Sequence, residues 1–441
     1  MRPRYHYAPA ANWLSDPNGL VWHDGEWHMF YQYNPFGEEW GHMSWGHAVS
    51  VDLAQWQELP VALAEADSTM IFSGSAVVDH ANTAGFGRDA MIAIYTGART
   101  DRPHQSQSIA ASADGGRTFT KYAGNPVLDR QLADFRDPSA FWHEPTRKWI
   151  MAVVLSDENR ALIYGSSDLK HWTELSEVPT GGAPGHLWEC PYLIELPVEG
   201  TRETRWLFKV DVFSGAPGSG ALYRVGTFDG MRFVPETGWQ LADYGNEFYA
   251  AIGWQNPRDD AGRPAWLGWM GNHHVQKHLP LQGWRGAMSL PRRMALRRVG
   301  TGHVLVQTVE PACRALFGAP ERLVLADGCH PMPAAALLLV DTRHDWTFAL
   351  SDDAGRTVRC AMAAGKLSVT RADPVTPQLD LTSAMPVAGD GPAEIWLDSG
   401  SIEVLADQGT VCLTLQHRLA GEAWALRGTG EMQVAYPRAK A

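Results

Sequence analysis

A turn motif that recurs along the first half of this 441-residue sequence constrains its fold more than any other feature. The segment Ser50–Leu59 is repeated as Ser166–Leu175, and shorter copies surround Asp114 and Asp229. The marker aspartates of successive copies are 62, 54 and 61 residues apart. In each copy the aspartate can accept hydrogen bonds from the backbone ahead of it, and the aromatic residue that follows can pack inward. Each copy therefore predicts a turn at the same place in a repeating unit.

Short runs rich in aromatic and β-branched residues lie between these turns and predict strands. They are Trp27–Tyr31, Met91–Tyr95, Trp149–Val154 and Trp206–Val210. A repeating unit of short antiparallel strands is typical of a β-propeller blade. Four such units precede residue 235, and Phe248–Met294 has room for a fifth. Residues 1–305 are therefore predicted to form a five-bladed β-propeller.

The sequence changes character beyond residue 305. Pro311, Gly318 and Pro320 predict a linker over residues 306–318. Short alternating runs separated by turns such as Asp398-Ser399-Gly400 predict a β-sandwich over residues 319–441. The strands predicted there are 336–342, 346–351, 394–397, 402–405, 411–416 and 432–436. The expected fold class is all-β, a five-bladed β-propeller followed by a C-terminal β-sandwich.

Charge and composition argue against several functional classes. With 37 Lys and Arg against 49 Asp and Glu the net charge is −12, which disfavours a nucleic-acid partner. The longest apolar runs are strand-sized, so no membrane span is predicted. The five cysteines include no Cys-x-x-Cys pair and predict neither a zinc site nor a disulfide framework. Since no apolar stretch follows the basic N-terminal residues, the sequence predicts a cytoplasmic protein with reduced thiols.

Tryptophan is unusually frequent, at 19 residues. So many flat, amphipathic rings fit a site that stacks sugars, and they equally fit a large β core with aromatic layers. Composition alone leaves both interpretations open.

Three acidic residues stand at corresponding places in three of the repeating units. Asp16, Asp137 and Glu189 precede the marker aspartate of their unit by 36, 31 and 40 residues. The first strand of a propeller blade lines the central channel, so we expect the three carboxyl groups to converge there. Converging carboxyls beside aromatic residues suit glycoside hydrolysis. In that reaction an ionised carboxylate attacks the anomeric carbon, and a protonated acid donates its proton to the leaving oxygen. The surroundings of the two groups must therefore push their pKa values apart.

These segments resemble family 32 of the glycoside hydrolases, the group of β-fructosidases that includes invertase, levanase and inulinase. The motifs that carry the resemblance are spread over nearly the whole chain. In order they are Trp13–Gly19, Tyr31–Pro35, Trp45–Ala48, Phe72–Ala76, Tyr95–Gly97, Phe135–Pro138, Trp188–Pro191, Glu247–Ala250 and Asp398–Val404. The fold that the resemblance implies, a five-bladed propeller with a sandwich, agrees with the repeats.

The resemblance also implies an activity, the release of terminal β-D-fructofuranosyl residues from sucrose and fructans with retention of configuration. Asp16 would be the nucleophile and would form a covalent fructosyl–enzyme, while Glu189 would act as acid and then as base. Asp137, held ionised by Arg136, would stabilise the transition state. The residues that would line the sugar pocket are Asn12, Trp13, Ser15, Gln32, Trp40, Phe72, Ser73, Arg136 and Trp269. The implied partner is thus a small sugar, with no metal or organic cofactor.

Some positions depart from the family pattern or refine it. Ser15, Tyr192 and Glu247 replace the Asn, Asp and Asp that are usual there, which bears on substrate preference. The segment Trp284–Arg292 is similar to exo-acting levanases and inulinases. The histidine-rich segment His273–His278 is predicted to be a loop at the pocket rim rather than a metal site.

Three other functions stay open at this point. A fructosyltransferase would use the same covalent intermediate and differ only in whether a sugar hydroxyl or water attacks it. A catalytically silent fructan-binding protein would keep the pocket, and a propeller scaffold would bind protein partners instead. The oligomeric state, the preferred linkage and the preferred chain length also stay open.

Overall fold

The computed structural model describes residues 2–216, 218–254, 263–279, 281–325 and 328–438. Antiparallel sheets make up nearly all of its regular structure, and they form five propeller blades and a C-terminal β-sandwich. The predicted all-β fold class is therefore confirmed.

Each blade is an antiparallel sheet whose strands follow one another along the chain. The first blade contains β1 (Asn12–His23), β2 (Glu26–Asn34), β3 (Ser44–Ser50) and β4 (Gln57–Leu63). The second contains β5 (Thr69–Asp79), β6 (Ala90–Arg99), β7 (Gln105–Ser112), β8 (Thr120–Lys121) and β9 (Leu128–Leu132). The third contains β10 (Phe135–His143), β11 (Lys148–Leu155), β12 (Arg160–Ser166) and β13 (Thr173–Glu177).

The last two blades follow the same order. The fourth contains β14 (His186–Pro197), β15 (Thr204–Ser214), β16 (Ala221–Phe228), β17 (Phe233–Pro235) and β18 (Gln240–Leu241). The part of the chain that forms the fifth blade contains β19 (Tyr249–Trp254), β20 (Ala265–Met270), β21 (Trp284–Arg285), β22 (Ala287–Met288), β23 (Arg292–Val299) and β24 (Gly302–Val309). Strand β21 pairs in parallel with β1 of the first sheet, which joins the last blade to the first and closes the ring.

The first strand of each blade lies at the centre of the propeller. Strands β1, β5, β10, β14 and β19 contact one another around the central channel. The apolar runs predicted from the sequence are the second strands, β2, β6, β11 and β15, which are buried on both faces. Burial on both faces is why these strands read as continuous apolar runs rather than as alternating ones.

The repeated turn motif connects the third and fourth strands of each of the first four blades. The Asp52 carboxylate accepts hydrogen bonds from the backbone N–H groups of Ala54 and Gln55, and Asp168 repeats this arrangement in the third blade. In the fifth blade, β23 and β24 are joined by a tight turn at residues 300–301 without an aspartate. The motif therefore marks four blades, and the fifth could be predicted only from the remaining length of chain.

The C-terminal module consists of two sheets that share one long strand. Its strands are β25 (Glu321–Leu325), β26 (His330–Pro333), β27 (Ala336–Asp341), β28 (Trp346–Ser351), β29 (Thr357–Ala363), β30 (Lys366–Ala372), β31 (Leu381–Pro386), β32 (Pro392–Asp398), β33 (Ser401–Ala406), β34 (Val411–Gln416) and β35 (Ala423–Ala435). The first half of β35 pairs with β26 and β28, and its second half pairs with β25 and β27. Side chains of both sheets form one apolar core between them.

The strand limits bear on the predicted domain boundary. Strand β24 pairs with β23 along its whole length and ends at Val309, so the predicted linker, residues 306–318, begins inside the last strand of the propeller. Strand β24 thus continues past residue 305, and Pro311 begins the short helix that follows it. The domain limits themselves stay predictions.

Helices are few and short in the described part of the chain. They are α1 (His273–Gln276), α2 (Pro311–Ala315) and three 3-10 turns at Glu144–Thr146, Pro377–Leu379 and Asp407–Gly409. None of these described helices has the length and apolar character that a membrane crossing requires.

Candidate active site

The innermost strand of every blade carries a β-bulge where it pairs with the second strand. The bulges fall between Leu14 and Pro17, Ile71 and Gly74, Arg136 and Ser139, Glu189 and Tyr192, and Tyr249 and Ile252. A bulge adds a residue to one strand and re-aims the side chains around it. The three predicted acids all lie in or beside such a bulge, which explains how residues far apart in sequence meet at one end of the channel.

Asp16 lies in the first bulge and is held by one of its two carboxylate oxygens. Ser73 Oγ donates a hydrogen bond of 2.7 Å to Asp16 Oδ2, and Cys190 Sγ lies 3.8 Å from the same oxygen. The other oxygen, Oδ1, has no hydrogen-bond partner among the described residues. This arrangement fixes the direction of the carboxylate and leaves Oδ1 without a competing interaction.

Asp137 lies in the third bulge with a left-handed backbone, at φ 64°. Its N–H donates to Thr96 Oγ1 at 2.9 Å, and its Oδ2 accepts the backbone N–H of Cys190 at 2.9 Å. Since a non-glycine residue pays a conformational cost in this region, these contacts hold a side-chain direction that the free chain would not favour.

Glu189 precedes the fourth bulge, and both of its carboxylate oxygens are hydrogen-bonded. Arg136 Nη2 donates to Oε1 at 3.0 Å, and the Tyr249 hydroxyl donates to Oε2 at 2.6 Å. Arg136 is itself oriented by Asp134 at 2.8 Å and Ser156 at 2.6 Å. The Glu189 side chain remains 19% exposed, so its carboxyl group is accessible from the channel mouth.

The three carboxyl groups interact strongly and titrate as a coupled set. Burial raises the pKa of Asp137 to about 7, although Arg136 opposes the shift. Burial also raises the pKa of Asp16, and the neighbouring His273 opposes the shift. Burial acts in the same direction on Glu189, but Arg136 and His273 outweigh it and hold the Glu189 pKa below its ordinary value.

The surroundings therefore shift the pKa values of Asp16 and Glu189 in opposite directions, and both directions are opposite to those that the expected roles favour. A nucleophile has to be ionised and an acid has to be protonated. Arg136, His273 and Tyr249 all stabilise the charged form of Glu189. The form with a proton on Glu189 becomes more populated as the pH falls.

The other predicted pocket residues lie on the strands and loops around this cluster. Trp13 and Trp269 are buried with their ring centroids 5.9 Å apart, and neither indole N–H has a partner among the described residues. Trp40 is 52% exposed and stands 6.0 Å from Phe72 at the rim. Ser15 is buried beside Asp16.

Two predicted polar residues are already engaged with the backbone. Gln32 Nε2 donates to the carbonyl of Ile71 at 3.0 Å, and Asn12 Nδ2 donates to the carbonyl of Pro35 at 2.8 Å. Both amides keep their side-chain oxygens for other contacts. Their predicted role in sugar binding stays a prediction.

The structure brings in one residue that sequence reasoning did not place in the site, and it corrects the segment predicted as a loop at the rim, which begins with the short helix α1. Tyr249 precedes the bulge of the fifth inner strand, as Glu189 precedes the bulge of the fourth. This equivalent position in the repeat is the sequence signal that could have placed Tyr249 in the site. His273 begins α1 and packs against Trp269 and Tyr249, at 5.0 Å and 5.9 Å between ring centroids. Among the described residues no group of three His, Cys, Asp or Glu side chains is placed to hold a metal ion.

One departure from the family pattern lies outside the site. Glu247 is fully buried and forms an ion pair with Arg371 of the C-terminal module, at 2.9 Å between Oε1 and Nη1. It also accepts the backbone N–H of Gln416 at 2.5 Å. Glu247 thus holds the two modules together rather than contacting the pocket.

Comparison with known proteins shows the family to which the chain is similar. The family model described as glycosyl hydrolases family 32 N-terminal domain matches residues 6–309. The levanase of Bacillus subtilis strain 168 is 49% identical over 332 residues, which cover 73% of this chain and 48% of the levanase. The chain therefore spans about half the length of that relative.

Two solved structures are similar over nearly the whole chain. The crystal structure of the exo-inulinase from Aspergillus awamori has a TM-score of 0.89 at 32% identity and covers 99% of this chain and 98% of the exo-inulinase. The β-fructofuranosidase of Schwanniomyces occidentalis in complex with fructosyl-erythritol has a TM-score of 0.86 at 28% identity, covering 98% and 97% of the two chains. Both modules of the present structure thus have counterparts.

Proposed function

Because the chain belongs to glycosyl hydrolase family 32, we propose that it is a retaining β-fructofuranosidase that releases terminal fructosyl residues from sucrose and fructans. The observation that carries the proposal is the carboxyl cluster itself. Cys190 contacts both Asp16 and Asp137, and Glu189 adjoins Cys190 in the chain. Two carboxyl groups with separate environments are what a double displacement at a glycosidic carbon requires.

In the first step Asp16 Oδ1 attacks the anomeric carbon of the fructosyl unit. The bond from that carbon to the leaving oxygen breaks as Glu189 transfers its proton to this oxygen, and a covalent fructosyl ester forms on Asp16. In the second step Glu189, now ionised, takes a proton from water as the water oxygen attacks the same carbon. The ester bond breaks, Asp16 is ionised again, and Glu189 is protonated again.

Asp137 and Arg136 bind the sugar while the transition state forms. The Asp137 carboxylate accepts hydrogen bonds from fructose hydroxyls, and its fixed position beside Cys190 means that little reorganisation is needed during the reaction. Phe72 and Trp40 supply apolar surfaces for the sugar ring, and the buried rings of Trp13 and Trp269 pack against each other.

Products followed over time test the proposal directly. The purified protein is incubated with sucrose, inulin and levan, and the products are separated by anion-exchange chromatography. We expect free fructose from the earliest times and chains that shorten by one unit at a time. Early oligofructosides without fructose would contradict exo cleavage, and products longer than the substrate would identify fructosyl transfer. The absence of any product would reject the function.

A matched pair of variants links the reaction to the cluster. Asp16→Asn keeps the size of the side chain but removes the nucleophile, and we expect fructose release to fall about a thousandfold or more. Asp79→Asn makes the same change in a buried aspartate of the second blade, where the carboxylate accepts hydrogen bonds from Thr83 and Ala84. We expect this control to lose stability but to keep its turnover number.

A further inference from the structure

A buried ion pair lies beneath Glu189 and has no part in the reaction as described so far. Lys209 and Asp211 alternate along β15, have no exposed side-chain surface, and are bonded to each other. Two charges taken out of water in the middle of a strand are costly unless their other contacts compensate. Their neighbours therefore indicate what the pair does.

The strand register sets the pair directly against the fourth bulge. Asp211 pairs with Glu189 across β14 and β15, and Lys209 pairs with Tyr192, so the bulge residues Cys190 and Pro191 lie between these two pairs. Lys209 Nζ donates to the carbonyl oxygen of Cys190 at 3.2 Å. The ammonium group is thus bound to the bulge on one side and to Asp211 on the other.

Cys190 is the residue that links the carboxyl groups of the site. Its N–H donates to Asp137, its thiol faces Asp16, and it follows Glu189 in the chain. It holds a left-handed backbone at φ 46°, which a residue with a Cβ rarely adopts. A hydrogen bond to its carbonyl therefore helps to maintain the peptide orientation on which the Asp137 contact depends.

Asp211 brings a further negative charge close to the acid. The titratable groups that act on it are Lys209 on its own strand, Asp16 on β1 and Glu189 on β14, and Asp211 in turn acts on Cys190 and on Tyr249 of β19. Burial raises the pKa of Asp211, whereas the ion pair with Lys209 lowers it and favours the charged form. Arg136 and His273 also act on Glu189 and lower its pKa.

We propose that Lys209 and Asp211 are positioning residues for the acid: Lys209 holds the bulge at Cys190, and Asp211 keeps the ammonium group in place and offsets its positive charge beside Glu189. This inference rests on the proposed function for its catalytic meaning. The geometry distinguishes it from a purely structural role, because the pair is joined to the site through the Cys190 carbonyl and through the Glu189 register position.

Two substitutions separate the two parts of the proposal. Asp211→Asn removes the negative charge, keeps the size and leaves Lys209 an oxygen to bind. We expect the basic limb of kcat/KM on sucrose to move down by about one pH unit, because a positive charge is then left without its counterion near Glu189. Lys209→Met loosens the bulge, and we expect kcat on sucrose to fall at least about tenfold. On a nitrophenyl fructoside, whose leaving group needs no protonation, Asp211→Asn should lose much less activity.

Glu310→Gln is the matched control. Glu310 is a buried partner of Arg293, at 2.5 Å, in the fifth blade and outside the carboxyl cluster. We expect this variant to lose stability without any change in the pH limbs. If Lys209→Met does not fold, the double variant Lys209→Met with Asp211→Asn, which leaves no unpaired buried charge, replaces it with the same expected loss of kcat. A wild-type pH profile in Asp211→Asn, or wild-type kcat in a folded Lys209 variant, would overturn the proposal.

A measurement without turnover keeps this inference separate from the proposed function. The titration of the Glu189 carboxyl can be followed by carbon-13 NMR, with the resonance assigned by its loss in Glu189→Gln. The same downward shift is expected in Asp211→Asn relative to the wild type. A wild-type protein that releases no fructose would reject the proposed function, whereas an unchanged Glu189 titration would reject the role of the pair.

Discussion

Asp16 and Glu189 show how two carboxyl groups in one pocket are prepared for different tasks. Asp16 is held through Oδ2 alone, by Ser73 and Cys190, whereas Glu189 is bonded through both oxygens, by Arg136 and Tyr249. A group with a free oxygen is suited to attack. A group that holds two donors has to give up one of them when it takes a proton.

Tyr249 offers a direct test of this difference. Its hydroxyl donates to the ionised form of Glu189 and so lowers the Glu189 pKa. We therefore expect Tyr249→Phe to raise that pKa and to move the basic limb of kcat/KM up by about 0.5–1 pH unit. The measurement is the pH dependence of sucrose hydrolysis.

The control for this variant is Tyr164→Phe. Tyr164 is a buried tyrosine of the third blade whose hydroxyl bonds to Arg130 at 2.9 Å, away from the carboxyl cluster. Its pH profile should match that of the wild type. A basic limb that stays in place or moves down in Tyr249→Phe would show that the phenol does not stabilise the charged carboxylate.

At this scale the sequence predicted the three acids, together with Arg136 and Ser73, but not the contacts that hold the acids in place. Asp16, Asp137 and Glu189 could be found because each falls early in a repeating unit. The contacts of Cys190, Tyr249 and His273 could not be, because they depend on bulges and on a one-turn helix that leave no periodic signal. The direction of the Glu189 pKa shift also depends on its distance to Arg136, which sequence spacing does not provide.

The five bulges are the structural feature that directs side chains of the inner strands toward one site. Without them, a strict alternation would direct successive side chains to the two faces of each blade. The second strands and the Asp turns could be predicted, since apolar runs and turn residues are local signals. The bulges could not, because a bulge is defined by its partner strand.

Gly19 tests how much the inner strand depends on close packing next to the site. It has φ +53°, and a Cβ there would lie 2.7 Å from the Phe30 ring and 3.0 Å from the Trp45 ring. We expect Gly19→Ala to lower the free energy of unfolding by about 2–4 kcal/mol through backbone strain and overpacking. Because β1 also carries Asp16, kcat should fall as well. Urea unfolding and sucrose kinetics measure the two effects.

Gly25→Ala separates backbone strain from packing. Gly25 also has a positive φ, +85°, but nothing lies within 4 Å of a Cβ placed there. We expect a loss of about 1 kcal/mol and no loss of kcat. Equal effects of the two substitutions would mean that contact with the aromatic rings contributes nothing.

The two modules are joined by a buried ionic network that spans the chain. His6 bonds to Asp398 at 2.9 Å and to Glu403 at 2.8 Å, and Glu403 also pairs with Arg292 of the fifth blade. The division into two modules could be predicted from the change in residue pattern beyond residue 305. Contacts between the N-terminal segment and β33 could not, because nearly 400 residues separate them.

This junction makes stability depend on pH in a defined window. Burial lowers the pKa of His6, but Asp398 and Glu403 raise it by more, to about 9. The stabilisation is therefore complete below the ordinary histidine pKa of about 6.5 and is lost as the pH rises through about 9. In His6→Gln we expect a large loss of stability at pH 6 and a difference from wild type that shrinks by about 3 kcal/mol by pH 10.

Chemical unfolding of both proteins from pH 6 to 10 checks this expectation. His80→Gln is the control, because His80 forms a similar pair with Asp89 that is largely exposed. That variant should differ little from the wild type at any pH. A His6→Gln difference that is constant across the window would show that His6 is not charged in the folded protein.

The central claim is that Asp16 carries the fructosyl group between two steps that Glu189 assists. Glu189→Gln lacks the base for the second step but should still react with a nitrophenyl fructoside, whose leaving group needs no proton. Rapid quenching of this variant, followed by peptide mass spectrometry, should find one hexosyl unit on the peptide that contains Asp16. Turnover without any adduct, or an adduct on another residue, would contradict the account.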